Sequence, residues 1–81
     1  MRVTVRLFAQ LRDAAGCAVW QGEVRPGASV GDVWRHLASE HPEVARFDRA
    51  VSCAVNASFA RMTAQVAEGD EIAFLPPVSG G

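Results

Sequence analysis

A single stretch of this 81-residue chain carries the apolar stripe of a full-length helix, and nothing else in the sequence constrains the fold as strongly. Val30, Val33, Trp34, Leu37 and Ala38 fall at i, i+3, i+4, i+7 and i+8, which gathers them along one side of a helix. Ser29 is the N-cap candidate, and Asp32, three residues on, makes a weaker form of the capping box in which Glu would be usual. Pro42 disfavours helical geometry at His41, so the helix is expected over residues 30–40. One helix covers one face of a sheet and leaves the other face open.

The sheet is legible as alternation. Val3, Val5 and Leu7 point one way and Arg2, Thr4, Arg6 and Phe8 the other, so residues 2–8 form a first strand. Residues 10–15 keep neither period long enough to assign. Gly16 marks a turn before a second strand, Ala18 to Val24, with Trp20 and Val24 on one face. Arg25-Pro26-Gly27-Ala28 is a turn in which Pro26 presets φ and Gly27 can take positive φ. After an irregular stretch from Pro42 to Arg49, Val51, Cys53 and Val55 alternate with Ser52, Ala54 and Asn56 in a third strand. A weaker strand is expected around Met62 to Val66, and Glu68-Gly69-Asp70 turns the chain into a last strand, Glu71 to Leu75. The expected order is β-β-α-β-β-β, an α+β domain with a mixed sheet of four to five strands and one main helix packed on one face.

Strand parity then sorts the apolar side chains. Val3, Val5, Leu7, Trp20 and one set from the last strand meet the helix stripe. Phe8 is left on the far face with Arg6, and either Phe74 or Leu75 joins it there. Apolar side chains on an uncovered sheet face are a candidate docking patch, unless the 10–15 segment folds over them.

Composition excludes several functions. Lys+Arg is 8 against 9 for Asp+Glu, a net charge of −1, so neither nucleic acid nor an anionic membrane is the expected partner. All eight basic residues are Arg, and no side chain offers an amine for a Schiff base, an acyl group or an isopeptide bond. Cys17 and Cys53 form no CxxC pair and are expected to be free, largely buried thiols in a reducing compartment. No apolar run approaches the roughly 18–20 residues of a membrane span, and Met1-Arg2-Val3-Thr4-Val5-Arg6 has no apolar h-region behind it, so a cytoplasmic location is expected. His36 and His41 lie about 140° apart around a helix and match no zinc spacing with the cysteines, so they are expected to be exposed and no metal site is expected. Asp48 with Arg49, and Glu68 with Asp70 and Glu71, are expected to be solvated loop charges. No Ser/His/Asp order, phosphate-binding glycine loop or paired carboxylate is present.

The remaining feature is Pro76-Pro77-Val78-Ser79-Gly80-Gly81. Two prolines cannot continue a sheet ladder, so the last strand stops and residues 76–81 are expected to leave a 1–75 domain as an extended tail. From Pro77 to Gly81 such a tail reaches about 16–18 Å. Gly80 and Gly81 lack Cβ atoms and can thread a channel too narrow for other residues, presenting a carboxylate to a foreign active site. A terminal carboxyl, with a pKa of about 3.5, is an anion at neutral pH and a poor electrophile. Attack on the α-phosphate of ATP would make it an acyl-adenylate, which sulfur converts to a thiocarboxylate and an amine converts to a peptide-like conjugate. The chain shows no nucleotide site, so a partner must supply the ATP chemistry, and the chain is a carrier with no cofactor of its own.

The stretches Leu7-Phe8-Ala9-Gln10-Leu11-Arg12-Asp13 with Gly16, Ala54-Val55-Asn56, Glu68 to Phe74 and Pro76 to Gly81 resemble the MoaD family, the small sulfur-carrying subunits of molybdopterin synthase. The resemblance covers the whole chain, although residues 17–53 match only in pattern and Ala57 to Ala67 lacks the acidic residue and proline often found there. It implies a ubiquitin-like β-grasp fold. It also implies that Gly81 is adenylated by an E1-like adenylyltransferase, converted to a thiocarboxylate with sulfur from a donor such as a cysteine desulfurase or rhodanese, and inserted into the large subunit of a heterotetrameric synthase. There the sulfur passes to cyclic pyranopterin monophosphate. By family position Phe8, Arg12, Phe59 and Leu75 bind the partner, which selects Leu75 over Phe74 for the open face. The alternatives are a sulfur carrier for thiamine or another pathway, and a ubiquitin-like protein modifier.

Overall fold

The computed structural model describes residues 1–77. Its elements are β1 (Arg2–Leu7), α1 (Ala9–Ala15), β2 (Val19–Glu23), α2 (Val30–Glu40), a 3-10 helix (Pro42–Phe47), β3 (Ser52–Val55), β4 (Ser58–Ala60) and β5 (Glu71–Leu75). The strands form one five-stranded sheet in the order β2-β1-β5-β3-β4. β1 and β5 run parallel at its centre, and β1–β2, β3–β5 and β3–β4 are antiparallel. The sheet is therefore mixed, and α2 crosses one face.

The helix forms where the stripe requires. Asp32 N donates to Ser29 Oγ at 3.1 Å and Ser29 N donates to Asp32 Oδ2 at 2.9 Å, a complete capping box. Val30, Val33, Trp34 and Leu37 are buried against Val3, Val5, Leu7, Trp20, Cys53, Ile72 and Phe74. At roughly 1.5–3 kcal/mol for each large apolar side chain removed from water, this stripe rather than helix propensity sets the element. Gly27 takes φ of 87° in the preceding turn, which only glycine adopts without strain.

Four sequence expectations are corrected. Residues 9–15 are helical: Leu11 and Ala15 reach the core, and Gly16 closes the helix at φ 77° with its N–H on Arg12 O at 2.9 Å. The first strand consequently ends at Leu7, and Phe8 becomes the N-cap residue of α1. The Pro42 to Arg49 stretch contains the 3-10 helix, which buries Val44 and Phe47. The fourth strand lies at Ser58–Ala60, upstream of the expected Met62 to Val66. That later stretch instead supplies carbonyls to the start of α2: Gly31 N donates to Met62 O at 2.8 Å and Val30 N to Ala64 O at 2.9 Å. Two helix-end donors that no local side chain reaches are thus satisfied from a segment more than 30 residues away.

Smaller corrections concern polar groups. Cys53 is buried, but Cys17 is only partly so. Neither histidine is fully exposed, and His36 meets the Trp20 ring edge-on at 5.2 Å with its Nε2 3.2 Å from Glu40 Oε2. Asp48 is more than a solvated charge, since it accepts the indole N–H of Trp34 at 2.7 Å. Asp70 likewise accepts from Ala67 N at 2.7 Å and from Asn56 Nδ2 at 3.0 Å.

Candidate functional site

The register assembles the face that α2 does not cover. Val19, Arg6, Ala73, Ala54 and Phe59 form one row straight across β2, β1, β5, β3 and β4. Leu7, Phe74, Cys53 and Ala60 form the next row, on the core face. Phe59 is 83% exposed, an expensive placement for an aromatic ring with no partner. Beside it Ala54 and Ala73 make a low floor, and Arg6 Nε pairs with Glu71 Oε2 at 2.9 Å at its rim.

The same register brings the other expected residues to one end of that face. Leu7 pairs with Phe74 in the parallel ladder, and the next residues, the extended Phe8 and Leu75, follow at the same end of the sheet. Phe74 is fully buried and Leu75 half-buried, which places Leu75 on the outer side. Phe8 remains 43% exposed, because α1 turns its Leu11 and Ala15 into the core and does not fold over the outer face. Arg12 is exposed one turn further along α1. β5 ends at Leu75, Pro76 is half-buried and Pro77 is exposed, so the root of the tail leaves the sheet next to Phe8. Phe59 lies two strands away, on the edge strand. The expected tail residues Val78, Ser79, Gly80 and Gly81 lie outside the described residues.

Reading by sequence missed the alanine floor, the Arg6–Glu71 pair and the hairpin turn that presents Phe59. That turn is Asn56–Ala57, with φ of 50° and 72°, and an Asn directly after an alternating run was the available signal.

The described surface offers little chemistry of its own. One hollow is lined by Trp34, Met62 and Ala38, another by Glu23, Arg25, Asp32 and His36, and neither is lined by a cysteine or by β5. Burial pushes the Cys53 thiol up, which keeps it protonated and unreactive. Among the described residues no group of three or more His, Cys, Asp or Glu could hold a metal ion.

A mixed sheet with a central parallel pair, a helix across one face and the last strand beside the first is the ubiquitin-like β-grasp fold. The chain belongs to the ThiS family, whose pattern matches residues 5–81. It is 31% identical to the molybdopterin synthase sulfur carrier subunit of Chlamydomonas reinhardtii over the full length of both chains. It is 32% identical to the Mycobacterium tuberculosis protein of the same name, across 100% of this chain and 99% of the other. The crystal structure of SAMP1 from Haloferax volcanii superposes with a TM-score of 0.90 at 32% identity, covering 100% of both chains.

Proposed function

We propose that the chain is the sulfur-carrier subunit of a molybdopterin synthase, with Gly81 as the reacting residue. The carrying observation is the exit geometry: β5 stops at Pro76-Pro77 beside exposed Phe8, at one end of an open face that displays Phe59. Phe8, Arg12, Leu75 and Phe59 grip the large subunit while Pro76, Pro77, Val78, Ser79 and Gly80 deliver the terminus into it. The sulfur-carrier names of two full-length relatives support this assignment.

The chemistry follows from a carboxylate that must be made electrophilic. A Gly81 oxygen attacks the α-phosphate of ATP on an E1-like adenylyltransferase and displaces pyrophosphate. The outer sulfur of a persulfide on a donor such as a cysteine desulfurase or rhodanese then attacks the acyl carbon and displaces AMP, and a thiol reductant cleaves the resulting acyl disulfide, which releases the thiocarboxylate and the donor's cysteine. In the synthase that sulfur attacks a carbon of the pterin substrate and displaces an oxygen leaving group to form a thioester, and water then cleaves the acyl–sulfur bond, which leaves the sulfur on the pterin and returns Gly81 to a carboxylate. ATP is consumed by the activating enzyme, and the carrier contributes an anchor and a reach, in a heterotetramer with the large subunit. This reading places the chain in the cytoplasm, with no nucleic-acid or membrane partner. No helix among the described residues is long and apolar enough to cross a membrane.

Intact mass after incubation with ATP, activating enzyme and sulfur donor tests the reading. One oxygen-for-sulfur exchange at the terminus is expected, and deleting Gly81 should abolish it without changing the melting transition. Full sulfur transfer by the truncated chain would overturn the mechanism. The likeness to SAMP1 favours a second reading, a ubiquitin-like protein modifier. Gly-Gly remnants on target lysines would establish that reading, and this chain, having no Lys, could not build lysine-linked chains of itself.

A further inference from the structure

The exposed ring of Phe59 is held by very little. It sits at the middle of a three-residue edge strand whose only strand neighbour among the described residues is β3, and the two are joined by the two-residue turn Asn56–Ala57. A slip of one residue in that hairpin would carry Phe59 from the outer face to the core face. Register therefore depends on the turn, and the turn is clamped through Asn56. Its main-chain N–H donates to Glu71 O at 2.8 Å, its Oδ1 accepts from Glu71 N at 3.0 Å and its Nδ2 donates to Asp70 Oδ1 at 3.0 Å. Asp70 is fixed in turn by Ala67 N at 2.7 Å on its other oxygen. Asn56 thus ties the hairpin to the start of β5, the central strand whose far end launches the tail.

We infer that Asn56 is a positioning residue for partner docking: its carboxamide holds Phe59 in the register and orientation that the large subunit reads, in one frame with β5. The inference rests on the docking reading above and goes beyond it, since Asn56 is not among the residues proposed there to grip the partner. Asn56→Gly isolates the clamp, because glycine keeps the positive φ that the turn requires and loses both side-chain hydrogen bonds. Binding of the full-length chain to the purified large subunit is measured for wild type, Asn56→Gly, Phe59→Ala and the double variant, with a thermal melt of each.

Asn56→Gly should weaken binding about tenfold, a factor typical of losing one well-placed contact. It should add almost nothing in the Phe59→Ala background, because the clamp acts through that ring. A purely structural role would lower the melt and leave binding by the folded fraction unchanged in both backgrounds, and that result overturns the inference. If Phe59→Ala binds as wild type, the docking reading falls and this inference with it. If Phe59→Ala weakens binding and Asn56→Gly does not, only the inference falls. Should Asn56→Gly melt below the assay temperature, Asn56→Asp serves in its place. It keeps an acceptor for Glu71 N, removes the donor to Asp70 and sets two carboxylates together, and the same non-additive loss is expected.

Discussion

Leu7 and Phe74 are register partners in the parallel ladder between β1 and β5, and both are buried. Because side chains alternate along extended backbone, the next residues, Phe8 at φ −125° and ψ 151° and Leu75, turn away from the core at the end where the chain leaves the sheet. Phe8→Ala should therefore lower affinity for the large subunit about tenfold or more while costing about 1 kcal/mol of folding stability. Titration calorimetry beside urea denaturation checks both. A variant that is strongly destabilised yet binds normally when folded would show that Phe8 serves the core.

Ala57 holds φ of 72° in a hairpin turn whose second central position ordinarily takes glycine. A left-handed alanine costs about 1 kcal/mol, offset in part by the greater freedom glycine has when unfolded. Ala57→Gly should stabilise the fold by about 0.5 kcal/mol, seen as a higher urea midpoint at unchanged slope. A lower midpoint would mean that the alanine methyl makes a contact worth more than the strain.

Gly22 lies directly under the ring of Trp20 on the same strand, and a Cβ there would fall inside contact distance of the indole. Trp20 is 6% exposed and its Nε1 donates to Glu40 Oε1 at 2.9 Å, tying β2 to the end of α2. Gly22→Ala should therefore displace the ring, lose that bond and cost about 2–3 kcal/mol in chemical denaturation. A cost below about 0.5 kcal/mol, the range of an ordinary surface substitution, would show that the ring can swing clear.

The Trp20 bond also holds the Glu40 carboxyl below its ordinary range, with lesser help from His36 and His41 against a desolvation cost. The folded state then binds that proton less readily than the unfolded chain, so the stabilisation is present above the ordinary glutamate range and lost as pH falls through the lowered value. Glu40→Gln keeps an acceptor for the indole but removes the titration. Its urea midpoint should fall less steeply on the acid side than that of the wild type, and an identical acid slope would remove Glu40 from the account.

The elements legible in the sequence are those whose apolar pattern repeats within one local segment. The α2 stripe with its Ser29–Asp32 box and the alternation of β1 and β5 lie within single segments, so these elements follow from spacing, with β1 ending one residue early where α1 begins. α1 and β4 lack such a signal. α1 has seven residues and no side-chain cap, too short to persist alone, and exists because Leu11 and Ala15 are buried by the rest of the fold. β4 has three residues, and its turn carries Ala57 where a glycine would have announced a hairpin. Met62 to Val66 reads as a weak strand, yet only Val66 is buried there and the carbonyls of Met62 and Ala64 are taken by the first turn of α2.

For the candidate site the division is sharper. Sequence alone determined that Phe8 has the parity of the open face at the end of the first strand, that the last strand stops at Pro76-Pro77, and that no lysine is present. Only the tertiary structure decided that Phe59 shares a row with Ala54 and Ala73, that Phe8 and Leu75 both follow the Leu7–Phe74 pair at one end of the sheet, and that Asn56 braces the turn presenting Phe59. The reason is physical: parity along a strand is local, whereas register between strands depends on hydrogen bonds and turns that join residues far apart in the chain.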